Sequence, residues 1–175
     1  MKKRLFFALP ISESFRESIV KVINICDNEI RWVSKDNYHV TLLFLGETPA
    51  GRIEEIIKHS EVIAATHNAF SLHSYEISIQ GKKDRRMVWV KFETCSAFSG
   101  LNNKLSQSLN CELVREQTPH ITLARLKNNR SALTGFKVNF EEILKVDQFE
   151  LWESVAGPEG VKYYSIGTFK LQTGN

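Results

Sequence analysis

A chain of 175 residues, 42% hydrophobic and 25% charged, has the length to bury a core without staples and the composition of an ordinary globular protein. Its net charge of +3 suits an anionic ligand without demanding one. The three cysteines, Cys26, Cys95 and Cys111, are odd in number and lack zinc-like or CxxC spacing, which points to reduced thiols in a cytoplasmic protein and away from a disulfide scaffold.

The chain begins Lys2-Lys3-Arg4 followed by an apolar run from Leu5 to Ile11. That run imitates a secretory leader, but it is short, contains Pro10 and passes into Ser12-Glu13-Ser14 without a small-residue cleavage site. It reads as a buried first strand ended by proline. Phe15, Ile19, Val22, Ile23 and Cys26 then recur at helical spacing, with Ser12 or Ser14 as the cap. Strand text over Val40–Leu45 precedes a second helix carrying Ile53, Ile56, Ile57 and Ile63, for which Thr48-Pro49 offers a cap and first-turn proline.

Two strands follow, Phe70–Ile79 and Met87–Phe92, around a basic turn containing Lys82, Lys83, Arg85 and Arg86. A third helix carries Phe98, Leu101, Leu105 and Leu109. Further strands are expected after Pro119, around Val146–Trp152 and around Val161–Leu171, the last two flanking the turn Gly157-Pro158-Glu159-Gly160. No linker divides the chain and no stretch is long enough to span a membrane, so residues 1–175 read as a single domain. The fold class is α+β, with helices on the outer faces of antiparallel sheet.

Two strands share a pattern. One reads Tyr38-His39-Val40-Thr41-Leu42-Leu43-Phe44-Leu45-Gly46; the other reads Pro119-His120-Ile121-Thr122-Leu123-Ala124-Arg125. Alternation along a strand puts His39 and Thr41 on one face and Val40 and Leu42 on the other, and does the same for His120 and Thr122 against Ile121 and Leu123. Each motif thus offers an imidazole and a hydroxyl, backed by apolar residues that give the support a positioned group needs. The repetition suggests two similar lobes facing each other.

Two histidines without carboxylate or thiol at ligand spacing leave a metal short of its usual donors, so no metal or other cofactor is expected. The remaining histidines, His59, His67 and His73, read as surface residues. A Gly-x-Ser-x-Gly elbow, a P-loop and a dinucleotide fingerprint are all absent. What remains is an acid–base pair of histidines suited to a phosphoester, with two hydroxyls to hold its oxygens.

On these motifs the chain resembles the 2H phosphoesterase superfamily, defined by two His-x-Thr-x motifs, and within it the RNA 2′,3′-cyclic phosphodiesterases, historically called 2′-5′ RNA ligases. The resemblance includes "RLFFALPIS", "RWVSKDNYHVTLLFLGE", "TPHITLAR" and "FELWESVAGPEGVKYYSIGTFKL", and is weakest through 61–86 and 126–142. It implies two pseudo-symmetric lobes with one motif each across a cleft. It also implies metal-independent opening of a 2′,3′-cyclic phosphate to a 2′-phosphate, with His39 as proton donor and His120 as acceptor. Some relatives join tRNA halves through a 2′-5′ linkage.

The family's arginine at the position of Arg125 is associated with the ligand's phosphate. Strict alternation puts Arg125 on the face opposite His120, so a contact needs a bulge; the other reading is a strand-end arginine in solvent. The basic run Lys82, Lys83, Arg85 and Arg86 reads first as a charged turn in water and second as a guide for an RNA backbone. Among the aromatics, Phe7, Trp32, Phe44 and Trp152 are candidates to stack a base. The expected partners are RNA ends or small cyclic-phosphate nucleotides, met by a monomer. The competing functions are an esterase for cyclic nucleotides, 2′-5′ oligoadenylate or ADP-ribose cyclic phosphate, and a binding module without turnover.

Overall fold

In the computed structural model, residues 1–25, 30–81, 86–111, 118–126, 135–158 and 160–173 are described. The opening apolar run forms β1 (Lys2–Pro10), buried without interruption from Leu5 to Leu9. A continuous apolar strand of this kind needs cover on both faces, and β1 obtains it in the middle of a sheet. Ser12 then caps α1 (Glu13–Ile23), accepting the Phe15 N–H at 3.2 Å, and the helix buries Phe15, Ile19 and Ile23. Cys26 lies outside the described residues. β2 (His39–Pro49) returns antiparallel to β1.

The second helix departs from expectation at its start. Thr48 and Pro49 remain in β2, and the Thr48 hydroxyl donates to the Gly46 carbonyl, so it is not a helix cap. A 3-10 turn, Ala50–Arg52, intervenes before α2 (Ile53–Ala64). β3 (Phe70–Gln80), β4 (Arg86–Phe92), α3 (Ser96–Ser108) and β5 (His120–Leu126) follow as the patterns predict. Two short strands, β6 (Lys137–Asn139) and β7 (Ile143–Val146), were not anticipated, and the predicted strand at Val146–Trp152 is instead the end of β7 and the start of β8 (Gln148–Gly157). β8 pairs with β9 (Gly160–Lys170) in a hairpin whose strands close at Gly157 and Gly160.

Among the described residues all strand pairings are antiparallel, in the order β6-β3-β4-β5-β2-β1-β8-β9, with β7 also on β3. The sheet divides naturally at its middle. β1–α1–β2 and β4–α3–β5 are both strand–helix–strand units whose two strands pair with each other. The two halves meet where β2 and β5 pair at Val40 and Ile121, each the residue after a motif histidine. Residues from all three helices share one large core with Val40, Leu42, Ile121 and Leu123. The opposite face carries a separate small cluster of Phe6, Ala8 and Trp152 with Tyr163 against it. That second face holds the histidines.

Candidate active site

Burial follows the alternation read from sequence: His39, Thr41, His120 and Thr122 are half-buried, while Val40, Leu42, Ile121 and Leu123 are fully buried between them. The pairing of Val40 with Ile121 places the two motifs side by side, running in opposite directions about a local two-fold relation.

Each imidazole is held in the same way. His39 Nδ1 lies 2.7 Å from the Asn37 carbonyl, and His120 Nδ1 lies 2.8 Å from the Thr118 carbonyl, in both cases two residues upstream. A carbonyl only accepts, so each Nδ1 carries the proton and Nε2 is the basic nitrogen of the neutral ring. The Thr41 hydroxyl donates to His39 Nε2 at 3.1 Å. A bound phosphate oxygen would compete for that hydroxyl and free the ring.

The surroundings of the two rings differ. His39 touches Phe6, Trp152 and Tyr163, with ring centroids 5.1–5.2 Å away. Burial among these rings pushes its pKa down to about 4, a shift opposed by the Asn37 carbonyl and increased by the electrostatic influence of His120. His120 instead lies flat on Trp89, at 3.7 Å and 20° between planes, with Lys91 as its cross-strand partner. Lys91 donates to Glu76 at 2.9 Å, and Glu76 also meets Lys137 at 2.8 Å; the two lysines and Ser78 hold its carboxyl down at about 2. His39 is enclosed by aromatic rings, whereas His120 has one indole face and a charged neighbour.

Both motif strands contain a bulge at the last position of the motif. Thr41 pairs with Ala8 and Leu43 with Phe7, which leaves Leu42 extra; Thr122 pairs with Trp89 and Ala124 with Val88, which leaves Leu123 extra. One inserted residue inverts the alternation beyond it. Phe44 therefore returns to the face of His39, opposite Phe6, and Arg125 returns to the face of His120, opposite Met87. Phe44 is 60% exposed, and Arg125 is exposed with its guanidinium 3.4 Å from Met87 sulfur. Of the other aromatic candidates, Phe7 lies wholly in the core, Trp32 packs against that core, and Trp152 adjoins His39. Gly46, at φ +68°, occupies the left-handed region where a second irregularity brings β2 opposite Leu5.

Each bulged carbonyl has its own donor. Leu123 accepts from the Val33 N–H at 2.7 Å, and Leu42 accepts from the side chain of Asn102, a buried residue on α3. Asn102→Leu should strand the Leu42 carbonyl, costing about 1–3 kcal/mol. The expected result is a lower urea midpoint with unchanged denaturant slope; an unchanged midpoint would show that the bulge does not depend on Asn102.

Several site residues escaped sequence reasoning: Phe6, Trp89, Tyr163, Lys91, Glu76 and Asn102. The bulges left a signal, because the doublets Leu42-Leu43 and Leu123-Ala124 interrupt alternation at the same place in both motifs. His73 is exposed as expected, whereas His59 and His67 are half-buried and bonded to the Ser108 hydroxyl and the Ala97 carbonyl. Lys82, Lys83 and Arg85 of the basic run lie outside the described residues. Among the described residues no group of three or more His, Cys, Asp or Glu is placed to hold a metal ion, and no helix is long and apolar enough to cross a membrane.

A family model described as LigT like phosphoesterase matches residues 9–90 and 96–163, spanning both motifs. The chain belongs to this family. Two relatives named RNA 2′,3′-cyclic phosphodiesterase align over most of a LigT-like chain of this length. The one from Methanothermobacter thermautotrophicus is 27% identical, covering 98% of this chain and 100% of its own; the one from Thermotoga maritima is 26% identical, covering 91% of each. The crystal structure of E. coli LigT complexed with 3′-AMP matches at a TM-score of 0.83 and 26% identity, covering 99% of this chain and 100% of that one.

Proposed function

We propose that this LigT-like phosphoesterase hydrolyses 2′,3′-cyclic phosphate ends of RNA to 2′-phosphomonoesters, by acid–base catalysis between His39 and His120 and without a metal. The observation that carries the reading is the paired arrangement of two imidazoles, each with its Nδ1 proton committed to a carbonyl two residues upstream, so that Nε2 is the basic nitrogen of the neutral ring. Water attacks phosphorus opposite the departing oxygen, as an in-line displacement requires. His120 Nε2 takes the proton from water, the bond from phosphorus to O3′ breaks, and His39 Nε2 gives O3′ its proton. The Thr41 and Thr122 hydroxyls donate to the non-bridging oxygens, where negative charge builds. Arg125, brought to this face by the bulge, supplies positive charge to the phosphate, and Phe44 offers an exposed aromatic platform for a base.

A second order of proton transfer has an observation in its favour. His39 is neutral in the free protein at neutral pH, since burial holds its pKa near 4, and a neutral imidazole accepts rather than donates. For His39 to act as donor, the bound anionic phosphate must raise that value.

In this reading residues 1–175 work as one bilobal unit, a cytoplasmic monomer acting on RNA ends, and 2′-5′ joining follows when a ribose 5′-hydroxyl takes the place of water, its proton going to His120 as the P–O3′ bond breaks. Incubation with adenosine 2′,3′-cyclic monophosphate and with an oligonucleotide ending in a cyclic phosphate tests it. Phosphorus NMR should show a 2′-phosphomonoester from the oligonucleotide. Formation of the 3′-isomer, or binding without turnover of either compound, would overturn the proposal. Activity should also survive exhaustive chelation; loss of activity that zinc or manganese restores would remove the metal-free mechanism.

A further inference from the structure

We propose that Trp89 is the positioning residue for His120: its indole face fixes the plane of the imidazole and favours the ring's protonated state. The inference rests on His120 being one of the two reacting groups. Trp89 sits on β4 opposite Thr122, diagonal to His120, close enough for large side chains to meet across the sheet. The two rings are stacked at 3.7 Å and nearly parallel, whereas the contacts around His39 are all tilted or edge-on and longer than 5 Å. With Nδ1 bound to the Thr118 carbonyl and one ring face against the indole, the imidazole is fixed both along its edge and in its plane.

The choice of tryptophan is informative. Its Nε1 is buried and finds no hydrogen-bond partner among the described residues. Phenylalanine or leucine would fill a sheet position without leaving that donor unmatched, so the indole is locally unfavourable as a filler. What it adds is the most electron-rich face of any side chain, the best partner for a cation lying on it. His120 has need of one. Lys91 is its cross-strand neighbour on β4 and Arg125 shares its face on β5; Glu76 on β3 reaches this group through Lys91, and His39 on β2 is held neutral by burial. The two cations, Lys91 and Arg125, disfavour a proton on His120, and the indole opposes them.

The decisive measurement is an NMR titration of the His120 ring protons, which needs no substrate and reads Trp89 independently of the reaction assigned to the site. In the native protein the Hε1 resonance should be shifted upfield by the indole ring current. In Trp89→Leu that shift should vanish and the titration midpoint should fall by about half a unit, the size of one cation–π contact. Trp89→Phe should retain part of both effects and serves if the leucine variant does not fold. The limb of the pH–rate profile that belongs to His120 should move with the midpoint, and kcat should fall more than KM rises. An upfield shift absent from the native protein, or a midpoint unchanged in a folded variant, would reduce Trp89 to packing.

Discussion

Alanine in place of either His39 or His120 is expected to remove about 10²- to 10⁴-fold of the rate on a cyclic phosphate, the usual yield of one positioned acid or base. The two losses should part on a substrate whose leaving group needs no proton, such as a nitrophenyl phosphodiester. His39→Ala should then recover most of its rate if His39 is the donor, while His120→Ala should stay impaired. The opposite outcome would make His39 the acceptor, the order its low pKa favours. The native enzyme offers an independent check with the same substrate. When no acid is required, kcat/KM keeps a single limb, rising with pH as the base of the free enzyme loses its proton. A limb near pH 4 belongs to His39, because burial holds that ring near this value and its neutral form dominates above it. A limb elsewhere belongs to His120. Equal deficits on both substrates would leave the division of labour without support.

Thr41→Val and Thr122→Val should each cost about 2–4 kcal/mol of transition-state stabilisation, roughly 10²- to 10³-fold in kcat, because valine preserves the shape and removes the donor. Thr41 should show a further effect. Its hydroxyl donates to His39 Nε2, so the valine variant deprives that ring of a partner before any substrate arrives. A change in the His39 limb of the pH profile is therefore expected for Thr41→Val. Unchanged kinetics in both folded variants would make the threonines structural only.

The face of each motif was legible because a strand has a period of two and both motifs keep it for four residues. Val40, Leu42, Ile121 and Leu123 are in the core for the reason the pattern states. The same rule failed at Arg125 and Phe44, where an inserted residue inverted the count. β6 and β7 were missed because three or four residues give periodicity too little length. Thr48-Pro49 misled because a threonine before a proline has the composition of a helix start, while pairing with Lys2 and Lys3 in β1 kept both residues in the strand. The walls of the site were invisible for another reason. Trp89 and Lys91 reach His120 across strands, Glu76 stands behind Lys91, and Phe6, Trp152 and Tyr163 converge on His39 from three different strands. No local window contains such a neighbourhood.

The meeting of the two motifs at Val40 and Ile121 has a consequence for the direction in which a ligand lies. A frame with two-fold symmetry offers a nucleotide two orientations related by a half turn, and equal walls would bind both equally. Here the walls are unequal: Phe6, Phe44, Trp152 and Tyr163 on one side, a single indole, Trp89, with Lys91, Arg125 and Glu76 on the other. Selectivity between the orientations is the difference of their two binding free energies, and for the proposed ligand these unlike residues would supply it. A strand of nucleic acid has chemically distinct ends, and for the RNA end proposed as substrate the unlike walls would let a nearly symmetric backbone tell one end from the other.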